Sequence, residues 1–180
     1  MNFYIADTHF CHKNIMKYEN RPFDSVEEMD QTIINNWNKK IKINDTIYII
    51  GDFAFGKPEQ IKDIINNLNG KKILVKGNHD KTILKNNELR DMFFLIKDYM
   101  VIKENEDILV LFHYPIHMWD RSHYGSYHLF GHVHSSFVSH AKNAYNVGVD
   151  VNSFEPLTFK EIKNKIENDS TFIELQKHHK

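Results

Sequence analysis

The chain has 180 residues, 41% hydrophobic and 26% charged, with a formal net charge of −1. That balance is ordinary for a globular domain and excludes a general polyanion binder, which would be strongly basic, though not a local phosphate site. A single cysteine, Cys11, excludes an intrachain disulfide and fits a reducing cytoplasm.

The longest apolar runs, such as 47–50 and 108–112, fall far short of the ~20 residues a membrane span needs. The first ten residues lack the basic start and apolar stretch of a secretory signal. The length predicts one domain over residues 1–180.

Phe3–Ala6 reads as a first strand. Ser25–Ile41 reads as a helix: Ser25 with Glu28 makes a capping box, and Val26, Met29, Ile33, Trp37 and Ile41 recur at helical spacing. Thr46–Ile50 is a β-branched and aromatic run, a buried strand. Pro58–Leu68 is a second helix, with proline near its start and Gly70 after its end. Lys72–Lys76 is a third strand, and Met92–Ile96 fits either type. Met100–Lys103 and Ile108–Phe112 pair around the polar turn Glu104–Asp107. His128–Gly131 and Tyr145–Val149 are further short strands. Thr158 with Glu161 caps a helix to about Glu167, and Thr171–Lys180 reads as a strand or a frayed helix. Strand and helix alternating in the first half predict right-handed βαβ units with parallel strands, while the hairpin-rich second half predicts mixed sheets.

The chain carries 12 histidines, and histidine is the commonest metal ligand among side chains. Asp7 and His9 follow the first strand, Gly51 and Asp52 the second, and Gly77, Asn78, His79 and Asp80 the third. His113 ends the run 108–112, and Gly131, His132, Val133 and His134 follow the next strand. Carboxyl ends of parallel strands gather on one edge, where α/β proteins bind ligands. Aspartate, asparagine and histidine together suit hard or borderline divalent ions, and the lack of a cysteine cluster excludes a structural zinc finger. Singly, each motif is no more than a turn or a cap. Their order at successive strand ends carries the reading.

The ordered set D-x-H, G-D, G-N-H-[DE], a lone His and G-H-x-H resembles the calcineurin-like metallophosphoesterase superfamily, in particular its small single-domain bacterial and phage members. Here it reads Asp7-Thr8-His9, Gly51-Asp52, Gly77-Asn78-His79-Asp80, His113 and Gly131-His132-Val133-His134. The resemblance implies a layered α/β/β/α sandwich of two mixed sheets flanked by helices. It implies two divalent metal ions. Asp7, His9 and His134 would bind the first, Asn78, His113 and His132 the second, and Asp52 would bridge them. A hydroxide between the metals would attack phosphorus in line, with His79 as general acid. Manganese is expected first, and iron, zinc, nickel or cobalt suit the same donors.

The sequence departs from the G-D-x-V-D-R-G of the protein phosphatases, since Gly51-Asp52 continues as Phe53-Ala54-Phe55-Gly56. The second aspartate and the arginine are missing. That argues against protein phosphatase activity and leaves open what orients His79, with Asp80 the adjacent carboxylate. Arg121, between His113 and Gly131, is a candidate phosphate clamp, and Arg21 is a second. His12 and His117 read as loop histidines, and Cys11 as a small packed residue. Tyr114, Trp119, Tyr124 and Tyr127 make one loop aromatic, as packing or as a surface for a nucleobase. Lysines 71, 72, 76, 81 and 85 read as a solvated face.

The expected function is hydrolysis of a phosphate ester, with a phosphodiester or nucleotide-type substrate favoured. The alternatives are a phosphomonoesterase acting on a small metabolite and a non-catalytic protein-interaction scaffold of the same fold. Neither a membrane nor a dedicated nucleic-acid-binding element is expected, and the compartment expected is the cytoplasm.

Overall fold

The computed structural model describes residues 1–136 and 141–168. Strands β1 (Asn2–Ile5), β2 (Thr46–Ile50), β3 (Lys71–Val75) and β4 (Leu95–Lys97) run parallel. Strand β9 (Leu157–Thr158) joins antiparallel beside β1, giving the order β4-β3-β2-β1-β9. A second sheet has the order β5-β6-β7-β8, from β5 (Met100–Glu104), β6 (Asp107–Leu111), β7 (Tyr127–Phe130) and β8 (Ala144–Asn146). Its β5–β6 hairpin is antiparallel and its other pairs are parallel, so both sheets are mixed. Helices flank them, as the sequence pattern implied.

Helix α2 (Val26–Lys40) starts where the sequence places it, because Ser25 Oγ accepts the Glu28 N–H at 3.1 Å and Glu28 Oε2 accepts the Asp24 N–H at 2.8 Å. Its first turn holds Glu27 and Glu28 and its last Lys39 and Lys40, which complements the helix dipole. Helix α3 (Pro58–Asn67) begins on proline. Met29, Ile33 and Trp37 of α2 and Ile61 and Ile65 of α3 are buried with Phe3, Ile5, Ile47 and Ile49, the residues β1 and β2 turn toward the helices. The alternate residues Tyr4, Ile50 and Val75 face Leu109, Leu111 and Leu129 between the sheets, joined by Phe159 and Ile162 of α6 (Phe159–Glu167). On the outer face of the second sheet, Trp119 packs with Val110, Phe130, Ala141 and Ala144, and its indole N–H donates to Ser126 Oγ at 2.9 Å.

The ambiguous run 92–96 resolves into the turn that follows a short helix α5 (Asn87–Asp91) and the start of the edge strand β4. Helices α1 (Ile15–Tyr18) and α4 (Lys81–Lys85) and strand β9 went unread, since two to five residues show no period. Tyr145–Val149 is a strand only to Asn146, and a 3₁₀ turn follows at Val149–Val151. The expected element Thr171–Lys180 lies outside the described residues. The lysine group does not form one face: Lys72 is buried against the carbonyls of Leu68 and Gly70, Lys71 lies over the Phe94 ring, and Lys76 pairs with Asp98. Among the described residues, no helix is long and apolar enough to cross a membrane.

Candidate metal centre

The two sheets are stitched together at the carboxyl ends of their parallel strands. Ala6 N–H donates to Val147 O at 3.0 Å and Ala6 O accepts from Val149 N–H at 3.1 Å, while Val147 N–H reaches Phe130 O at 2.9 Å. Asp7 N–H donates to Gly51 O at 3.1 Å, and Gly131 N–H to His113 O at 2.9 Å. Every motif residue read from the sequence therefore stands on this one edge. The backbones approach too closely for side chains: a Cβ on Gly77 would fall 2.2 Å from Asp52 Oδ1, and one on Gly131 would fall 2.6 Å from Asp7 Oδ2.

Five of the residues sit in the left-handed region: Asp7 (φ 56°), His9 (50°), Asp52 (54°), His132 (73°) and His134 (50°). Each such conformation costs a non-glycine residue ~1–2 kcal/mol. Strain gathered in one place, and held there by the hydrogen bonds above, marks a site built to aim side chains.

Asp7, His9 and His134 each place a donor atom within 4.8 Å of the others, and so do Asp52, His113 and His132. Asp52 Oδ2 lies 3.7 Å from His9 Nε2 and 3.5 Å from His113 Nε2, between the two groups. The His79 N–H donates to Asp52 Oδ1 at 2.8 Å, which fixes the carboxylate plane. His113 Nδ1 is 2.9 Å from the Ile50 carbonyl, so Nδ1 carries the proton and the Nε2 lone pair faces Asn78 Oδ1 at 3.1 Å and Asp52. Lone pairs converging in this way repel one another unless a cation lies among them. His9 makes the same point, since both its ring nitrogens are buried with no hydrogen-bond partner among the described residues. The donor set of carboxylate, amide oxygen and imidazole fits divalent cations.

The electrostatics agree. Burial pushes the Asp7 carboxyl up to about 7, against the pull of His113 and His134. Burial drives the His9 imidazole down to about 2, which keeps it neutral. Burial would also raise Asp52, but its hydrogen bond and charge contact with His113, together with the His79 N–H and His9, outweigh this and hold it at about 2. His113 is buried and His134 partly so, which lowers both, yet the carboxylates beside them (Asp52 and Asp7 for the first, Asp150 and Asp7 for the second) leave both raised overall.

A folded-state pKa raised above its unfolded value gives stability that is lost as pH rises through the raised value. The metal-free protein therefore loses the contribution of Asp7 between pH 3.8 and about 7, and those of His113 and His134 as the pH rises above 6.5. Cations need all three unprotonated. The rise in melting temperature on adding manganese is accordingly expected to be larger at pH 8 than at pH 6. An equal or smaller rise at pH 8 in a thermal-shift titration would contradict this ligand set.

Arg21 is not a free substrate clamp, contrary to the expectation from its place after the first strand. Its guanidinium is buried, with Nε and Nη2 donating to the two Asp150 oxygens at 2.7 and 2.9 Å, Nη1 to Thr8 O at 2.9 Å and Nη2 to Asp7 O at 2.8 Å. The remaining N–H faces Met29 Sδ at 3.4 Å, so no donor is left for a phosphate. Arg21 instead ties the Asp7–His9 loop to Asp150, and Asp150 Oδ2 accepts the hydrogen bond of His134 Nδ1–H at 2.8 Å, which leaves Nε2 as the lone-pair nitrogen. Sequence reasoning missed Asp150, which follows no motif and has Gly148 and two valines as its neighbours. Glu19, also missed, lies within reach of His134 and Asp150. Asp150→Asn is expected to lower manganese affinity ~10- to 100-fold, read by calorimetry. Unchanged affinity would remove Asp150 from the site.

Arg121 opens the short 3₁₀ turn Ser122–Tyr124. It is exposed, and its carbonyl accepts from Tyr124 and Ser126 within its own turn. Asp80 does not orient the His79 ring. Its buried carboxylate accepts the N–H groups of Gly77 (2.7 Å), Phe53 (2.9 Å) and Asp52 (3.1 Å), pinning the second and third strand ends together. The exposed His79 ring rests beside Phe55, with centroids 4.7 Å apart, and near His9 at 5.9 Å. His12 stacks on Phe55 at 4.0 Å, His117 is exposed, and Cys11 is partly buried against the Asp30 carboxylate and Gly56.

A family model described as calcineurin-like phosphoesterase matches residues 3–100. An uncharacterized protein of Methanocaldococcus jannaschii is 32% identical over 171 residues, 91% of this chain and 89% of that one. The gene 66 protein of Mycobacterium phage L5 is 31% identical over 117 residues, 63% of this chain and 55% of that one. The crystal structure of an Aquifex aeolicus protein of unknown function superposes with a TM-score of 0.74 at 29% identity, covering 92% of this chain and 98% of that one. The match over more than half the chain and the full-length likeness agree, and the chain belongs to the calcineurin-like phosphoesterase family.

Proposed function

We propose that the protein hydrolyses a phosphodiester at a two-cation centre. Asp7, His9 and His134 would hold one ion, Asn78, His113 and His132 would hold the other, and Asp52 would serve both. The observation that carries this reading is Asp52 Oδ2, set 3.7 and 3.5 Å from the Nε2 atoms of two histidines that belong to separate donor groups. When bound, two divalent cations lower the pKa of a shared water and neutralise phosphate oxygens.

The chain's own residues supply the rest. The His79 backbone holds Asp52 Oδ1, leaving Oδ2 for the ions. Its imidazole donates a proton to the leaving alkoxide. Asp150 and Arg21 fix the face that His134 presents.

A diester is favoured over a monoester on charge. Arg21 has no donor left for a phosphate. A monoanionic diester needs fewer cationic partners than a dianionic monoester. Manganese is the proposed ion, with iron, zinc, nickel or cobalt as alternatives of similar donor preference. The cytoplasm is the proposed compartment, consistent with a single free cysteine.

Bis(p-nitrophenyl) phosphate and p-nitrophenyl phosphate, assayed in parallel with manganese and with chelator, test the reading. Chelator-sensitive hydrolysis faster on the diester is the expected result. Preference for the monoester would make the protein a phosphatase, and hydrolysis of neither by manganese-loaded protein would leave the scaffold.

A further inference from the structure

Two chains of aromatic rings start from histidines of the cluster. From His9, ring contacts run to Phe55 (5.6 Å), from Phe55 to His12 (4.0 Å, nearly parallel) and on to Tyr18 (6.3 Å). From His132 they run to Tyr114 (4.6 Å), Phe112 (5.6 Å) and Tyr99 (6.0 Å). These rings are not core: Phe55 is 38% exposed, Tyr18 67%, Tyr114 37% and Tyr99 40%. His9 and His132 belong to different donor groups, so one aromatic arm stands on each side of the centre. Each arm has an exposed lysine beside it in sequence, Lys13 and Lys57 on the first and Lys97 on the second, and none of these forms an ion pair among the described residues.

We propose that the two arms form a clamp for a short single-stranded oligonucleotide, one base stacking on the Phe55 arm and the other on the Tyr114–Tyr99 arm, with the phosphate between them at the cluster. That last placement rests on the phosphoesterase reading above. Paired bases in a duplex present no free ring face, so single strands are selected. Base–aromatic stacking tolerates any sequence, because every base has a π face. Three flanking lysines on a chain of net charge −1 serve a few phosphates and not a long polyanion. The arms thus do locally what the overall composition does not suggest.

The test is calorimetric binding of phosphorothioate-linked tetrathymidylate, and of an abasic tetramer of the same charge and linkage, to manganese-loaded protein. The thymidylate is expected to bind at least about tenfold more tightly. Phe55→Leu and Tyr99→Leu should each remove about tenfold of the thymidylate affinity, with a smaller change for the abasic strand. Phe55→Trp and Tyr99→Phe should keep it. Tyr99 is an exposed ring at the end of its arm, so its variants hold the test if those at Phe55 fail to fold.

Equal affinity for the two tetramers, or equal loss in leucine and aromatic variants, overturns the clamp. Hydrolysis of bis(p-nitrophenyl) phosphate by the same preparation separates the two claims. Hydrolysis with base-independent binding overturns the clamp alone, while base-dependent binding without hydrolysis supports the clamp and overturns the esterase.

Discussion

Asp52→Asn is expected to reduce metal-dependent hydrolysis about a thousandfold or more while leaving the fold intact. The substitution keeps the size of the side chain and an oxygen for the His79 N–H. It removes the charge from the atom that lies 3.7 Å from His9 Nε2 and 3.5 Å from His113 Nε2. With the amide oxygen kept on the His79 N–H, the NH2 takes the place of Oδ2 and offers no lone pair to a cation; on the proposed reading that one atom would serve both ions, so the loss would fall on both sites together. Stabilising the charge that develops on a transferring phosphoryl group is worth several kcal/mol in two-metal sites. The check is kcat/KM on the diester, with circular dichroism and metal content on the same sample. A variant retaining a tenth of wild-type activity would show that Asp52 does not join the two ions.

His79→Ala is the second large effect, a fall of about 10²- to 10⁴-fold in kcat, the range for loss of one general acid or base. The metal content should stay at the wild-type level. The backbone N–H of His79 holds Asp52 and survives the substitution, while its ring, the proposed proton donor, stands exposed beside Phe55. The loss should shrink on substrates with an acidic leaving group such as p-nitrophenolate, which needs little help from a proton, and grow on alkyl or nucleoside esters. An equal loss on both would point to a binding role for the ring.

The metal-competent residues were legible because each motif sits at a strand end, where the parallel topology itself brings Asp7, Asp52, Asn78, His113, His132 and His134 to one edge. A short motif at a fixed place in a βαβ unit has little freedom to lie elsewhere. Helices α2 and α6 were legible for a local reason, the Ser25 cap on the Glu28 N–H in the first and the full capping box at Thr158–Glu161 in the second; the Glu28 side chain reaches the Asp24 N–H instead of that of Ser25.

Arg21 misled for the opposite reason. Its charge and its place after the first strand suit a phosphate clamp, but its partner Asp150 is 129 residues away in sequence, and no spacing rule connects them. Asp80 was uncertain in the same way: as a neighbour of His79 it invited a role in orienting that ring, whereas its carboxylate turns inward to three backbone N–H groups. Trp119 and Tyr124 share one loop, yet the first is buried over the second sheet and the second is 82% exposed. Composition alone cannot divide them.

The central claim is that one chain holds two divalent ions joined by Asp52. Its most direct test is a manganese titration of metal-free protein, with bound ions counted by elemental analysis and diester hydrolysis followed at each point. Two ions per chain, with activity reaching its plateau only at the second equivalent, is the expected result. A plateau at one ion, or hydrolysis that persists after the metal is removed, would contradict the claim.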